Sequence, residues 1–343
     1  MRRTGGRRQI SQAVGGRRSE RAFAFRDRGV SLEANMILER PFQPSIRSLL
    51  YVPGNKLDWM LKSAKYGADA LIFDLEDSVP DDQKVASRAI VRKAIDEMHQ
   101  TTRTRLFVRI NSVSTGLADG DIEAIAGPGL FGIQASKIEG AEAVRHLDAL
   151  LNKCETKAKL PAGQIFLMPL IEDAMGVRDA YEIAMAAARV AYLQCGVGAT
   201  GPLAMGDMAR SVGFREVTGH ETAYLLGKVV LDARAAGIAN PCTGLTSAPI
   251  KDLDAVRALA QRGRNFGYLG ANLIHPSHVP IANEVFGASQ EEIDHWTGLV
   301  AAVEEAQKKG TAAIVYKGKM VDIAHYNYSR EMLKRTTEYI RQG

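Results

Sequence analysis

Charged and polar side chains recur where short apolar runs of this sequence end. They are Asp74, Glu76 and Asp77 after LIF, Arg109 and Asn111 after LFV, Lys137 after IQAS, Glu172 and Asp173 after LMPLI, and His275 after ANLI. In a parallel α/β barrel the carboxyl ends of all strands meet at one rim, and catalytic residues come from several of them. These positions therefore predict one site at the mouth of a barrel.

The residue types at these positions indicate a particular chemistry. Carboxylates without paired cysteine or histidine ligands favour a hard cation bound through oxygen, such as Mg²⁺ with Mn²⁺ as a substitute. Such a cation polarises a carbonyl or enolate oxygen. Arg109 adds fixed positive charge for a carboxylate or a developing oxyanion. The pattern is typical of enolate chemistry beside a carbonyl group.

The elements that position these residues alternate between short apolar runs and longer amphipathic stretches. The apolar runs are RSLLYV, DALIFDL, RLFVRI, FGIQAS, QIFLMPLI, RVAYLQC, a weak seventh near TGLTS, and FGYLGANLI. Strand–helix alternation with nearly continuous apolar strands predicts a parallel sheet covered by helices. Eight such runs favour a closed (β/α)₈ TIM barrel, and no GxGxxG or GxxxxGK(S/T) fingerprint opens a predicted helix.

The alternation stops after Phe286, so the rest of the chain is not another barrel unit. A helix is predicted with Ser289 as N-cap, Glu292 completing a capping box and Gly310 as its stop. A short β-like segment, TAAIVYKGKMVDIA, and a final helix follow. We therefore expect an Arg-rich leader at 1–44, a barrel at 45–287 and a C-terminal extension at 288–343, acting as a lid or a cross-subunit arm.

Composition excludes several classes of protein. No apolar run approaches the roughly 20 residues that span a bilayer, so no membrane association is expected. The three cysteines form no CxxC pair and indicate neither a zinc site nor an oxidising compartment. The net charge of +5 arises in residues 1–35, which hold nine arginines and three acids. The basic balance thus belongs to the leader, and nucleic-acid binding is not expected.

An ordered series of motifs resembles the citrate lyase β-subunit-like proteins, a group that includes malyl-CoA and citramalyl-CoA lyases in the broader HpcH/HpaI aldolase superfamily. The motifs are RSLLYVPG (47–54), DALIFDLEDSVP (69–80), FVRIN (107–111), SKIEG (136–140), LIEDAMGV (170–177), GDMARSVG (206–213), LIHPSHV (273–279) and KGKMVD (317–322). The resemblance covers about residues 45–325. A Gly-rich insertion before Asp207 and the SK and GAN variants of family motifs mark a divergent member.

The resemblance implies roles for individual residues. It places Mg²⁺ on Glu172 and Asp207. It implies substrate binding or catalysis for Arg109, Glu76 and Asp77 on the FVRIN and DLED motifs, for Lys137 on SKIEG, and for Asp322 as an acid/base on the tail motif. Arg47 and Lys56 are candidate contacts for the phosphates of CoA.

Each of these roles has a simpler structural alternative. Glu172 could be an acid favoured by a helix dipole, and Asp207 an N-cap. Arg109 could belong to a salt bridge at the rim, and Lys56 could be merely solvated. His275 fits a structural role at the last strand better than a catalytic one.

The resemblance implies reversible cleavage of a 3-hydroxyacyl-CoA, such as malyl-CoA or citramalyl-CoA, to an acyl-CoA and a 2-oxo acid. Alternatives are a CoA-independent 2-oxo acid aldolase, a citrate lyase β-subunit in a multi-subunit complex, and a weakly active CoA-ester-binding protein. We expect a homotrimer or homohexamer in the cytoplasm, or in the mitochondrial matrix if residues 1–35 are a transit peptide. The simpler interpretation of the leader is that translation starts at Met36.

The leader carries little apolar surface to bury, so we predict that it is dispensable. A shortened chain beginning at Met36 should remain soluble and keep the melting temperature and turnover of the full chain. Loss of soluble protein on truncation, measured by gel filtration and thermal melting, would show instead that the leader packs on the barrel.

Overall fold

A computed structural model describes residues 38–195, 206–214, 219–245, 250–311 and 313–342 of the chain. Eight parallel strands close into a barrel in the order of the sequence. They are β1 (Ser48–Pro53), β2 (Ala70–Asp74), β3 (Arg105–Ile110), β4 (Gly132–Ala135), β5 (Phe166–Ile171), β6 (Gln194–Cys195), β7 (Cys242–Gly244) and β8 (Gly270–Leu273). The predicted barrel is confirmed, including its weak seventh strand. Residues 1–37 of the predicted leader and residues 196–205 of the Gly-rich insertion lie outside the described residues, whereas residues 38–44 are described and contact the barrel.

Helices cover the outside of the barrel and continue into the C-terminal extension. They are α1 (Leu57–Ser63), α2 (Lys84–Met98), α3 (Ala118–Ile125), α4 (Ala141–Ala158), α5 (Ala174–Arg178), α6 (Ala180–Met185), α7 (Asp207–Val212), α8 (Ala223–Ala235), α9 (Leu253–Asn265), α10 (Val279–Val285), α11 (Gln290–Lys308) and α12 (Ile323–Gln342). Short 3₁₀ helices occur at Ala64–Tyr66, Asp81–Gln83, Val113–Thr115 and Pro276–His278. Within the described residues, no helix is both long and apolar enough to cross a membrane.

Successive side chains along the strands belong alternately to two hydrophobic cores. On β2, Leu71 and Phe73 belong to the core shared with the surrounding helices, whereas Ala70 and Ile72 belong to the core inside the barrel. Successive side chains of a strand point to opposite faces, so Asp74 continues the inward-facing series. The same alternation of side chains makes the functional residues at the strand ends face the mouth.

An aromatic layer fills the barrel interior near the N-terminal ends of the strands. Phe107 and Phe166 both meet Tyr192 edge-to-face, with ring centroids 5.8 and 6.1 Å away. The Tyr192 hydroxyl donates a hydrogen bond to the carbonyl oxygen of Pro44 at 2.9 Å. Such packing makes the barrel a solid core rather than a pore.

Arg40 binds backbone carbonyl groups at the N-terminal face of the barrel. Its guanidinium donates to the carbonyl oxygens of Ala184 at 2.6 Å, Val190 at 2.5 Å and Ala236 at 2.8 Å. Two of these carbonyls lie at the C-terminal ends of α6 and α8, where the helix dipole favours a cation. Burial lowers the pKa of Arg40 to about 10.

The extension consists of α11, a two-stranded antiparallel hairpin of β9 (Ile314–Tyr316) and β10 (Lys319–Val321), and α12. The predicted capping box of Ser289 and Glu292 is confirmed. Residues 317 and 318 both adopt positive φ, as a tight hairpin turn of type I′ requires. A small apolar cluster joins the hairpin to both helices.

The end of α12 is anchored on the N-terminal face of the barrel. The Glu338 carboxylate accepts a hydrogen bond from the backbone N–H of Ser45 at 3.3 Å. The guanidinium of Arg47 lies 4.6 Å from the centre of the Tyr339 ring. The extension therefore attaches to the end of the barrel opposite the mouth.

A buried ion pair ties α4 to the segment before β6. Both carboxylate oxygens of Glu155 accept from Arg189, at 2.8 and 2.9 Å, and they also accept the backbone N–H groups of Gly163 and Ile165. Both side chains are almost fully buried, with exposed fractions of 0% and 2%. Loss of either partner would leave an uncompensated buried charge.

We predict that Arg189→Met lowers the free energy of unfolding by about 3 kcal/mol or more, measured by urea denaturation. The matched control is Arg178→Met, which breaks the exposed pair with Asp179 and should lower the free energy of unfolding far less. Equal effects of the two substitutions would mean that burial does not strengthen the Glu155–Arg189 pair.

Candidate active site

The carboxyl ends of the strands bring together five carboxylates and two cations at the mouth of the barrel. They are Asp74, Glu76, Asp77, Glu172 and Asp207 with Arg109 and Lys137. If all seven groups are ionised, the cluster carries a net charge of −3. Such an excess of negative charge in a partly buried site favours the binding of a cation.

Arg109, on β3, is the centre of this cluster. Its Nε and Nη2 atoms donate to the two oxygens of Asp74, each at 2.7 Å, and form a bidentate pair. Its Nη1 atom lies 3.0 Å from Glu76 and 3.2 Å from Asp77. The side chain is almost completely buried, and these contacts hold the edges of the guanidinium in place.

Asp74 stabilises the loop that carries the other acids. Its carboxylate accepts the backbone N–H groups of Glu76 at 2.9 Å and Ser78 at 3.0 Å. Burial acts to raise the pKa of Asp74, but the hydrogen bonds and charge of Arg109 outweigh it and lower that pKa. Asp74 is therefore ionised, and it orients Arg109 rather than a substrate.

Glu76 and Lys137 form the next layer of the site. Glu76 accepts from the Ser136 hydroxyl at 2.9 Å and from Lys137 at 3.1 Å. Burial raises the pKa of Glu76, opposed by the charge of Arg109. Lys137 is a non-glycine residue with a φ of 51°, which indicates a backbone held at this position by its surroundings.

Glu172 is the most unusual carboxylate of the site. Its Oε2 atom is buried and has no hydrogen-bond partner among the described residues. Burial, with a smaller contribution from the charge of Glu76, raises the pKa of Glu172 to about 8. The neighbouring Asp173, not Glu172, caps α5 by accepting from Gly176 at 2.6 Å. Glu172 therefore has no capping role that would account for its burial.

Asp207 faces the same site from the start of α7. Its carboxylate lies 3.6 Å from the Lys137 ammonium and 2.9 Å from the Arg210 guanidinium. Gly206 occupies the N-cap position, so the alternative in which Asp207 is the cap does not hold. Asp207 is one-third exposed and borders the mouth.

These two carboxylates fit a divalent cation with oxygen ligands. The unpaired Glu172 oxygen requires a partner, because a buried polar atom without one is costly. Among the described residues no group of three or more His, Cys, Asp and Glu side chains is arranged to hold a metal. Two protein carboxylates with the remaining positions open is the arrangement by which Mg²⁺ keeps water or substrate oxygens.

Two predicted site residues lie elsewhere in this chain. Arg47 precedes β1 at the N-terminal face, where it donates to Asp69 at 2.8 and 2.9 Å. The prediction that it contacts CoA at the mouth is therefore wrong, because β1 separates it from the rim by about 20 Å. Asp322 is exposed on the extension, where its carboxylate accepts from the backbone of Ala324 and from the ring of His325.

The remaining predicted contacts lie on the side of the mouth. Lys56 follows β1 and precedes α1, with no side-chain capping bond. His275 follows β8 and accepts from the backbone N–H of Ser277, which is a structural role. Asp77 has an exposed side chain beside Arg109 and stays a candidate substrate contact.

Sequence reasoning missed the residues that support the site. Lys84 is buried and donates to the carbonyl oxygen of Glu76 at 2.7 Å and to Asn111 at 2.9 Å. Asn111 in turn donates to Asp121 at 2.8 Å, and Asp121 pairs with Arg88. Lys84, Arg88 and Asp121 lie on helices, where a charged residue in an amphipathic pattern is indistinguishable from a solvated one. Asn111 follows β3 and is one of the predicted strand-end positions.

The chain is similar to proteins of known families. Residues 47–276 match the family described as HpcH/HpaI aldolase/citrate lyase. The citrate lyase subunit beta of Leuconostoc mesenteroides subsp. cremoris is 32% identical, over 80% of this chain and 88% of that protein. A (3S)-malyl-CoA thioesterase of Cereibacter sphaeroides is 33% identical, over 84% and 94%. An L-malyl-CoA/beta-methylmalyl-CoA lyase of the same species is 31% identical, over 88% and 96%.

A solved structure supports the fold. The protein CitE from Mycobacterium tuberculosis, in complex with magnesium, acetoacetate and coenzyme A, has a TM-score of 0.65 and is 24% identical. The match covers 86% of this chain and 98% of that one. Together with the sequence match over 47–276, these relatives show that the chain belongs to the HpcH/HpaI aldolase/citrate lyase family.

Proposed function

We propose that this protein is a Mg²⁺-dependent carbon–carbon lyase that cleaves or forms a 3-hydroxyacyl-CoA, with an acyl-CoA and a 2-oxo acid as the other reactants. The proposed substrates are malyl-CoA and citramalyl-CoA. The observation that carries the proposal is the buried, unpaired oxygen of Glu172 beside the cluster around Arg109. Relatives named for lyases and thioesterases of CoA esters support the same class of substrate.

Glu172 and Asp207 hold the cation. When bound, Mg²⁺ supplies positive charge to the carboxylate and carbonyl oxygens of the 2-oxo acid. Mn²⁺, with similar ligand preferences, is expected to substitute. The solved CitE complex with magnesium is consistent with a cation at this mouth.

Arg109 binds the carboxylate of the 2-oxo acid through Nη1. In the free protein this atom contacts Glu76 and Asp77. Asp77 has an exposed side chain, so it yields its position to the incoming carboxylate at little cost. Asp74 keeps the rest of the guanidinium fixed, so the substrate meets a preorganised donor.

The cleavage step moves two protons. The 3-hydroxyl loses its proton, the electrons of the C–C bond pass to the α-carbon of the acyl thioester, and that carbon then takes up a proton. Glu76, whose pKa is raised by burial, accepts the first proton. Lys137 stays charged beside it, because the nearby carboxylates outweigh its partial burial and raise its pKa. Asp322 of a neighbouring subunit in a homotrimer or homohexamer is the candidate acid/base for the second proton. Lys56 contacts the CoA phosphates.

Thioester hydrolysis is a second candidate function. It is favoured by the (3S)-malyl-CoA thioesterase, which at 33% identity aligns over 94% of its own length. Hydrolysis would use the same site, with water attacking the thioester carbonyl and CoA leaving as the thiol.

The two functions are separated by their products. The full chain is incubated with Mg²⁺ and a panel of hydroxyacyl-CoAs that includes malyl-CoA and citramalyl-CoA. Acetyl-CoA or propionyl-CoA with an equal amount of 2-oxo acid is the expected product of the lyase. Free CoA with intact hydroxy acid would indicate hydrolysis, and turnover of CoA-free hydroxy-oxo acids would indicate a CoA-independent aldolase.

Glu172→Gln should abolish turnover and the rise in melting temperature caused by Mg²⁺. Without metal the variant should melt within a few degrees of wild type or higher, because it removes a buried, unpaired carboxylate. The control is Glu182→Gln, which changes an exposed acid on α6 and should alter neither property. Wild-type turnover in Glu172→Gln would disprove the proposed coordination.

Asp322→Ala should depress kcat more than it raises KM, as expected for a group that acts mainly in the transition state. Because Asp322 lies away from the mouth of its own chain, mixing Asp322→Ala with Glu172→Gln subunits should restore part of the activity. Mass spectrometry confirms that mixed oligomers form. Inactive mixed oligomers would refute a shared site and leave Asp322 as the residue that caps α12.

A further inference from the structure

Four polar side chains form a layer inside the barrel, directly below the mouth. They come from four strands of the barrel: Tyr51 on β1, Gln134 on β4, Gln194 on β6 and Asn272 on β8. Gln134, Gln194 and Asn272 are 0–1% exposed. Below this layer lies the aromatic core, so the polar groups separate the packed interior of the barrel from the candidate active site.

The layer is joined by directed hydrogen bonds. The Tyr51 hydroxyl donates to the Gln134 side-chain oxygen at 2.7 Å and accepts from the Asn272 amide at 2.9 Å. The Asn272 amide also donates to Gln194 at 2.6 Å, and Gln134 donates to the same Gln194 oxygen. Both the donor and an acceptor site of the Tyr51 hydroxyl are therefore engaged, which fixes the ring in the barrel.

The face of the Tyr51 ring supports Arg109. The guanidinium carbon of Arg109 lies 4.8 Å from the ring centre, within the range of a cation–π contact. The acids of the mouth bind the edges of the guanidinium, through Asp74, Glu76 and Asp77. Carboxylates at the edges do not by themselves stop the plane from tilting, whereas a ring held against its face does.

We propose that Tyr51 is a positioning residue that sets the plane of the Arg109 guanidinium, with the Gln134–Gln194–Asn272 layer holding the ring. The inference rests on the proposed function of Arg109 as the carboxylate-binding group. This role differs from that of a packing residue. Replacing a residue that only fills the barrel changes the free energy of unfolding, whereas replacing Tyr51 changes the orientation of Arg109 and the stabilisation of the transition state.

The test compares ring removal with hydroxyl removal in the full chain. Tyr51→Phe keeps the ring, whereas Tyr51→Leu and Tyr51→Met remove it, the second serving if the first does not fold. Matched controls are Tyr192→Phe and Tyr192→Leu, because Tyr192 is an inward-facing tyrosine of the aromatic layer, away from Arg109. Crystal structures give the tilt of Arg109, and steady-state kinetics give kcat and KM.

Removal of the ring should tilt the Arg109 plane and lower kcat/KM by roughly 3- to 30-fold, the range expected from loss of a partly desolvated cation–π contact. The folded Tyr192 variants should stay within about 3-fold of wild type. Tyr51→Phe keeps the ring but loses its hydrogen bonds to the layer, so it should lose less activity than the ring-less variants. In an Arg109→Lys background, Tyr51→Leu should cause little further loss, because Tyr51 acts through Arg109.

Three results would each overturn the proposal: an unchanged Arg109 plane in the ring-less variant, equal losses in the Phe and Leu variants, or additive losses with Arg109→Lys. Failure of the proposed function is a separate outcome. If wild type lacks lyase and thioesterase activity but Arg109 still tilts in Tyr51→Leu, the lyase assignment fails while the positioning role of Tyr51 stands.

Discussion

The bidentate pair between Arg109 and Asp74 is the interaction on which the mouth of the barrel depends. It joins the ends of two neighbouring strands, and Asp74 also accepts the backbone of the loop that carries Glu76 and Asp77. A buried ion pair of this kind contributes little net stability, because desolvation offsets most of the attraction. Its effect is geometric, since it directs the remaining edge of the guanidinium towards the mouth.

The same pair concentrates the negative charge of the site in one place. Asp74 neutralises Arg109, so Lys137 is left to balance four further carboxylates. Burial, with the charge of Glu76, raises the pKa of Glu172, and the two cations offset this only in part. Under the proposed function, a divalent cation would relieve this excess of negative charge at Glu172 and Asp207.

Sequence patterns predicted the barrel because its strands are buried on both faces and read as continuous apolar runs. They also predicted most of the mouth, since the residue that follows a parallel strand always lies at one rim. The error with Arg47 has the same origin: it precedes its strand, so it belongs to the opposite rim. Sequence patterns could not predict the role of Tyr51. A tyrosine next to the candidate active site and a tyrosine in the packed core differ only in their contacts.

The contacts of Arg40 and those of Arg109 respond differently to acid. Carbonyl oxygens do not titrate, so the contacts of Arg40 with Ala184, Val190 and Ala236 are unaffected when carboxylates take up protons. The pair of Arg109 with Asp74, whose pKa is lowered in the folded chain, is lost as pH falls through that lowered value. Protonation of Asp74 should therefore loosen the chemical end of the barrel without breaking the Arg40 contacts at the opposite face.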